Sequence, residues 1–237
     1  MKPQTAMLTI SQNEQPIEKQ TETTRDLDVI EIWNTIQGEG PYSGMPATFV
    51  RLAGCNLQCP LCDTDYTSTR QLMGCSELVD IVDDLCSGGL VVFTGGEPFR
   101  QKALCNVMHN LINRRMTVQV ETNGTIWQPD IDPRVAIVCS PKTPTVNADM
   151  AKRADCWKYV IQDPWYDNED GLPTRALGYH HRPARPPETI RKSRIYVQPV
   201  DEKDPVANAA NQKLATDVCM EHGYRLCLQT QKIVGLR

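Results

Sequence analysis

The sequence lacks any apolar run of the roughly 20 residues that a membrane-crossing helix takes. Its opening stretch, MKPQTAMLTISQNEQPIEKQTETTRD, lacks both an apolar signal-peptide core and a small-residue cleavage pattern. A spanning helix and an ordinary secretory leader are thereby excluded, and the expected compartment is the cytoplasm, where thiols stay reduced. Charge of one sign is also missing: 25 Lys and Arg against 29 Asp and Glu leave a net −4. That balance gives no support to a direct nucleic-acid-binding body. No internal repeat of 20–50 residues is visible. What remains is ordinary for a globular chain: 237 residues, 40% hydrophobic and 23% charged, enough for a substantial core.

Cysteine, by contrast, is plentiful. There are ten, and in a reducing compartment they do not read as a disulfide framework. Cys75, Cys86, Cys105, Cys139, Cys156, Cys219 and Cys227 stand singly, mostly in apolar surroundings, and read as small buried hydrophobes. The other three sit together in GCNLQCPLCDTDYT (54–67), as C-x3-C-x2-C through Cys55, Cys59 and Cys62. A structural zinc site wants four ligands, usually in two pairs. No second pair exists, and His109, His180, His181 and His222 are far away in sequence. A redox C-x2-C would leave Cys55 idle, and a fully ligated cubane needs four thiolates. Three thiolates directly after a strand suit a 4Fe–4S cluster with one iron left open, at the strand ends where α/β barrels place their chemistry.

The remaining chain alternates strands and helices. Near-continuous Val- and Ile-rich runs predict strands at 46–54, 90–96, 117–122, 135–141, 157–162 and 194–200, covered on both faces as parallel strands are. Leu78, Ile81, Val82 and Leu85 form one helical stripe, with Ser76 as its N-cap and Gly88 as its stop. Leu104, Val107, Met108, Leu111 and Ile112 form another. A late helix begins at Asp204-Pro205. This order predicts right-handed βαβ units in a parallel sheet, open or curled into a partial barrel. Residues 1–27 read as a polar, flexible tail. The Pro- and Arg-rich segment 163–193 reads as an inserted, solvated loop.

C-x3-C-x2-C after the first of these strands resembles the cluster motif of the radical S-adenosylmethionine superfamily, with Leu61 where an aromatic residue is usual. TGGEP (94–98) is similar to that superfamily's Gly-Gly-Glu segment. Paired glycines let a backbone approach a ligand closely, and Glu97 can accept from an ammonium. The order of NTIQGEGPYSGMPATFVRLAGCNLQCPLCDT (34–64), TGGEP, VETNGT (120–125), CSPK (139–142), VQPV (197–200) and LQTQK (228–232) resembles the 7-carboxy-7-deazaguanine synthase family over about 28–237. That family often carries histidine at the place of Gln231.

The resemblance implies a partial TIM-type βα barrel of the radical SAM kind, as a single domain over 28–237. It also implies a lyase that converts 6-carboxy-5,6,7,8-tetrahydropterin to 7-carboxy-7-deazaguanine, on the route to queuosine-type 7-deazapurines. A 5′-deoxyadenosyl radical takes a substrate hydrogen, the ring contracts and ammonia leaves. The cofactors implied are a 4Fe–4S cluster on Cys55, Cys59 and Cys62, S-adenosylmethionine, and Mg²⁺ held partly by Thr64, whose hydroxyl is a hard oxygen ligand. Leu61, Asp63, Gly96, Glu97, Ser140, Pro141, Lys142, Gln198, Pro199, Val200 and Asp201 would line the S-adenosylmethionine site. Ile36, Gln37, Gly38, Arg51 and Thr94 would contact the pterin. The implied partners are a flavodoxin or ferredoxin as electron donor and a second copy in a homodimer. A glycyl-radical enzyme activase shares the cysteine and GGEP motifs, and a non-catalytic iron–sulfur module would need only the cysteines.

Overall fold

The computed structural model describes residues 13–236. The chain builds β1 (Asp26–Ile36), β2 (Pro46–Leu52), β3 (Gln71–Gly74), α1 (Cys75–Leu85), β4 (Leu90–Gly95), α2 (Leu104–Asn113) and β5 (Thr117–Thr122). There follow β6 (Ala136–Cys139), α3 (Ala148–Arg153), β7 (Cys156–Ile161), β8 (Ile195–Pro199), α4 (Pro205–His222), β9 (Arg225–Leu226) and α5 (Thr230–Ile233). All the strands join one sheet in the order β3-β1-β2-β4-β5-β6-β7-β8-β9. From β2 to β9 every pairing is parallel and follows chain order, whereas β1 runs antiparallel to both β2 and β3. None of the described helices is long and apolar enough to cross a membrane.

The expected strands form, each within a residue or two of its ends, but β1 was not anticipated. Its sequence, DLDVIEIWNTI, mixes acids with apolar residues because it covers the outer edge of β2, and a register shift between Val29 and Glu31 interrupts its alternation. Helix α1 begins one residue before its expected cap. Gly74 occupies the N-cap, and its amide donates to Glu77 Oε2 at 3.3 Å, which supplies half of a capping box. Leu78, Val79 and Val82 are buried as the stripe requires, but Leu85 is 40% exposed. Helix α4 starts as expected: Asp204 Oδ1 accepts from the amides of Val206 and Ala207 at 2.9 and 2.8 Å, with Pro205 in the first turn.

Coverage of the sheet differs from expectation. Alternate residues point to opposite faces of a strand. One face, carrying Val50, Phe93, Val118, Val120, Trp157, Tyr159 and Val197, packs with α1, α2 and α4 into the main core. The other face presents Arg51, Thr94, Glu121, Lys158 and Gln198 to a cavity. The strands are thus apolar toward the helices and polar toward an enclosed space, which is what a sheet with a site on its inner face requires.

Two segments expected to be loose are bound to the rest. Residues 1–12 of the expected tail lie outside the described residues. Residues 13–25 run extended against the cysteine loop and the start of α2: Glu18 N donates to Cys55 O at 2.7 Å and Thr21 N to Arg100 O at 2.8 Å. The excursion 163–193 has no strand and only a short 3-10 turn at its end, but it is pinned rather than merely solvated. Arg185 clasps Asp170 at 2.7 and 3.0 Å, Tyr159 donates to Ala184 O at 2.7 Å, and Leu172, Ala176 and Ala184 are buried. Two of its arginines, Arg182 and Arg185, therefore neutralise local acids.

Candidate active site

A cavity of about 1000 Å³ opens at the C-terminal ends of the parallel strands, the usual place for ligands in α/β sheets. Its rim is the loop after β2. That loop cannot continue a strand, since Pro60 lacks an amide proton, so it takes its hydrogen bonds from elsewhere. Asn13 Nδ2 donates to Cys59 O at 3.1 Å, Gln15 Nε2 to Thr64 O at 2.9 Å, Gln58 Nε2 to Gln15 O at 2.7 Å, and Leu61 N to Leu177 O at 3.0 Å. Cys55, Cys59 and Cys62 all face the cavity.

Burial pushes the Cys55 thiol up to about 12 and the Cys59 thiol up to about 11, and it raises Cys62 as well. An amide from Leu57 at 3.4 Å opposes burial at Cys55, and the Lys142 charge opposes it at Cys59. Buried thiols held apart from water but beside a cation and an amide suit a cationic metal cluster, which takes thiolates. Among the described residues no three His, Cys, Asp or Glu side chains converge on a point that would hold a single ion. A cubane needs no such convergence, because each thiolate binds a different iron.

The glycine pair has an unexpected task. Gly95 has φ +136°, and a Cβ there would lie 2.1 Å from Leu52 O; at Gly96 it would lie 2.2 Å from Gly54 O. Gly96 N donates to Leu52 O at 3.3 Å and Glu97 N to Gly54 O at 3.0 Å. The backbone these glycines approach is the protein's own: they dock the end of β4 onto the root of the cysteine loop. Glu97 then turns away from the cavity. It is fully buried, and its oxygens accept from Phe99 N at 3.0 Å, Thr122 Oγ1 at 2.7 Å and Asn123 N at 2.7 Å. Burial outweighs these three donors and raises its carboxyl to about 7. The expected role of Glu97 as a direct acceptor for an ammonium is replaced by that of a pin between β4 and β5.

The other expected residues distribute as follows. Leu61, Asp63, Thr64, Gly96, Ser140, Lys142, Gln198, Pro199, Val200 and Asp201 line the cavity, as do Ile36, Gln37, Arg51 and Thr94. Pro141 and Gly38 do not, because Pro141 is buried behind Ser140 and Gly38 is covered by Gln231. A Cβ on Gly38 would fall 1.5 Å from Gln231 Oε1, so only glycine fits beneath that amide. Lys142 donates to Ser140 O and Oγ at 2.7 and 2.6 Å, and burial lowers its ammonium below the ordinary value. Arg51 donates from Nε to Glu31 Oε1 at 2.6 Å and lies over the Trp33 ring at 5.2 Å, which fixes the plane of its guanidinium in the wall.

The floor holds a charge cluster that motif reading alone missed. Lys158 Nζ lies 2.5 Å from Glu39 Oε2 and 2.6 Å from Glu121 Oε2. Glu39 accepts from Gln229 Nε2 at 2.9 Å, and Glu121 accepts from Gln37 Nε2 at 3.3 Å. Although burial works against it, the two carboxylates hold the Lys158 ammonium well above its ordinary value, and Lys158 holds Glu39 below its own. Gln231 Oε1 is buried without a partner among the described residues. Amides aimed by carboxylates, together with an unsatisfied carbonyl, can read the donor and acceptor edge of a planar heterocycle. The alternation in TVQVET and CWKYVI carried a signal for Glu121 and Lys158, since a charge between buried neighbours on a strand must face something polar.

The chain is 41% identical over 219 residues to the 7-carboxy-7-deazaguanine synthase of Rhodospirillum rubrum, a match that covers 87% of this chain and 91% of that one. It belongs to the 7-carboxy-7-deazaguanine synthase family. Proteins of the same name from Rickettsia prowazekii (33% identical, 89% of this chain and 88% of that one) and Hyperthermus butylicus (35%, 73% and 77%) agree. No protein-family model matches the chain. The fold is that of the crystal structure of QueE from Escherichia coli, which matches 86% of this chain and 93% of that one with a TM-score of 0.64 at 21% identity. The cysteine rim and the polar floor are two ends of one cavity.

Proposed function

We propose that this chain is a working 7-carboxy-7-deazaguanine synthase, a radical S-adenosylmethionine carbon–nitrogen lyase that contracts the ring of 6-carboxy-5,6,7,8-tetrahydropterin with release of ammonia, in queuosine-type biosynthesis. The observation that carries it is one cavity with three thiols and, among the described residues, no fourth at its rim, and a polar floor. Cys55, Cys59 and Cys62 would hold the 4Fe–4S cluster and leave one iron for the amino and carboxylate groups of S-adenosylmethionine. Together these groups supply one-electron cleavage of a sulfonium and abstraction of a substrate hydrogen.

The protein's own work is positional. Leu61, Asp63, Gly96, Ser140, Lys142 and the strand-end run Gln198, Pro199, Val200 and Asp201 would fix the cofactor against the rim. Arg51 would meet the substrate carboxylate, and Glu31 sets the approach of its fork. Gln37, with Glu121 behind it, would orient the pterin edge. Thr64 would contribute a hard oxygen to Mg²⁺; its hydroxyl already lies 3.3 Å from Asp63 Oδ1, in an oxygen-rich corner.

The finer fold assignment belongs here too. Seven strands paired in chain order, with helices on one face, support a partial βα barrel curled around its polar face. Residues 28–237 would form its single domain, with 163–193 as the insert. The remaining parts of the reading are a homodimer in the cytoplasm and reduction by a flavodoxin or ferredoxin.

Anaerobic incubation of the iron-reconstituted chain with carboxytetrahydropterin, S-adenosylmethionine, magnesium and a reductant tests the reading. Formation of 7-carboxy-7-deazaguanine is expected. Cleavage of S-adenosylmethionine without that product would point to another radical enzyme, and no cleavage at all would reduce the chain to a non-catalytic module.

A further inference from the structure

Thr64 lies in a stretch without regular structure between Cys62 and β3, and its hold comes from outside the strand–helix frame. Pro16 favours an extended backbone at Gln15, the residue before it. The segment is fastened to the cysteine loop on either side of Gln15, by Asn13 N on Pro60 O at 2.9 Å and Glu18 N on Cys55 O at 2.7 Å. From there the Gln15 side chain spans Asp65: Nε2 donates to Thr64 O at 2.9 Å, and Oε1 accepts from Tyr66 N at 2.7 Å. A neighbouring strand would grip the same two backbone groups. Nε2 also donates to Asn13 Oδ1 at 3.0 Å and Oε1 accepts from Thr67 Oγ1 at 3.3 Å, so both ends of the amide are engaged and its orientation is fixed. Thr64 O also accepts from the Cys62 thiol at 3.7 Å. A thiolate bound to iron has no proton to donate. With a cluster in place, Gln15 is therefore the donor left to Thr64 O among the described residues.

We propose that Gln15 is a positioning residue for the Mg²⁺ site: its side-chain amide grips the backbone on both sides of Asp65 and so holds the Thr64 hydroxyl in place for the ion. The inference rests on the cluster and Mg²⁺ assignments under Proposed function. Mg²⁺ demands a near-octahedral shell at about 2.0–2.1 Å and takes most of it from water and substrate. With so few protein ligands, a displaced hydroxyl is not made good by its neighbours, and its placement sets the affinity. Beyond Asp65 the chain is already fixed, since Tyr66 is buried and its carbonyl accepts from Gly54 N at 2.8 Å. Thr64 depends on Gln15. Gln15 does not line the cavity, so it acts through Thr64 and is not a catalytic residue.

The test uses the full chain, reconstituted anaerobically with iron and sulfide. Gln15→Met keeps the length of the side chain and removes its hydrogen bonds. Iron and sulfide content should match wild type. The Mg²⁺ concentration for half-maximal product formation should rise about tenfold, and saturating Mg²⁺ should restore turnover. Mn²⁺ takes the same oxygen ligands, and its binding can be followed by electron paramagnetic resonance with the cluster oxidised and carboxytetrahydropterin present. It should bind the variant about tenfold more weakly than wild type.

Should the variant load poorly, the wild type decides, because coupling is reciprocal. Adding Mg²⁺ to the substrate-bound wild type should slow hydrogen exchange over 13–18 and at the Tyr66 amide. A loaded Gln15→Met with wild-type metal affinity, turnover that saturating Mg²⁺ fails to restore, or exchange that Mg²⁺ leaves unchanged would overturn the inference alone. A wild-type chain that turns over without Mg²⁺ and binds no Mn²⁺ would overturn the Mg²⁺ assignment beneath it, and one that takes up no iron–sulfur cluster would overturn the cluster assignment.

Discussion

Lys158→Met replaces the cation that both Glu39 and Glu121 contact with an apolar side chain of similar length, and the outcome follows from burial. The lysine side chain is 6% exposed, and the two glutamates are 14% and 17% exposed. Breaking a buried ion pair by removing one partner costs about 3–5 kcal/mol, because the other charge stays behind unpaired. Here two stay behind, side by side, so the upper part of that range is expected at pH 8.

The sign of the pH dependence can be worked out. In the wild type Glu39 is held below its ordinary value of 4.5, so its contribution is present above about pH 4.5 and is lost as acid protonates the native state. In the variant, burial is no longer opposed by Lys158, so the carboxyl rises above 4.5 and the variant loses stability as pH rises. The gap between the two proteins should therefore close toward pH 5, by about 1.4 kcal/mol for each unit of displaced pKa. Urea unfolding at pH 5, 6.5 and 8 measures it. A gap below about 1 kcal/mol at pH 8, or one independent of pH, would refute the view of this floor as a desolvated charge cluster. Glu39→Gln in the Lys158→Met background should restore part of the loss at pH 8, since one uncompensated charge goes with it.

Glu97→Gln tests the pin between β4 and β5. A carboxyl raised to about 7 contributes stability that is complete below about pH 4.5 and disappears as pH climbs through 7. The margin of wild type over Glu97→Gln in the cofactor-free protein should accordingly shrink between pH 5 and 7.5. An unchanging margin in urea titrations would show that Glu97 does not titrate in that window. Arg100→Met removes a side chain that is 4% exposed and donates to Lys19 O at 2.9 Å and Ala53 O at 3.0 Å. Because Gln101 also serves Ala53 O at 3.1 Å, a loss of about 1–3 kcal/mol is expected, concentrated where the extended segment 13–25 meets the loop. Hydrogen exchange should quicken over 17–21 and at the root of the cysteine loop; unchanged protection there would show that Arg100 does not hold the segment 13–25.

The parallel strands and their helices were legible because their apolar residues repeat with the right periods, and the rim was legible because three cysteines at that spacing have few other uses. Less legible was everything whose meaning depends on a distant partner. Glu97 reads as a ligand for an ammonium when only TGGEP is seen; Thr122 and Asn123, 25 and 26 residues on, make it a structural acceptor. The glycine pair reads as room for a ligand, but on its other side it also meets Leu52 O and Gly54 O, which sequence alone does not show. β1 escaped notice because its acids interrupt the apolar pattern, and the register shift between Val29 and Glu31 breaks what alternation there is. Arg182 and Arg185 read as part of a solvated loop in sequence, but Asp170, twelve and fifteen residues away, takes both.

The two misjudged segments share a physical reason for being ordered. A loop that turns three thiols toward one cavity cannot also turn its amides and carbonyls toward each other, so its backbone groups need partners from outside. Residues 13–21 supply them from one side, through Asn13, Gln15 and Glu18, and residues 176–179 from the other, through Leu177. Neither segment needs regular structure or an apolar period, because its order comes from the loop it grips, and a search for helices and strands passes over both. The same geometry limits how far the loop can relax when a thiolate takes up metal. Clamped on both sides and docked by Gly96 onto Gly54, it would present its sulfurs to the proposed cluster at positions largely fixed beforehand, so that the ordering cost would be met by the fold rather than by the metal.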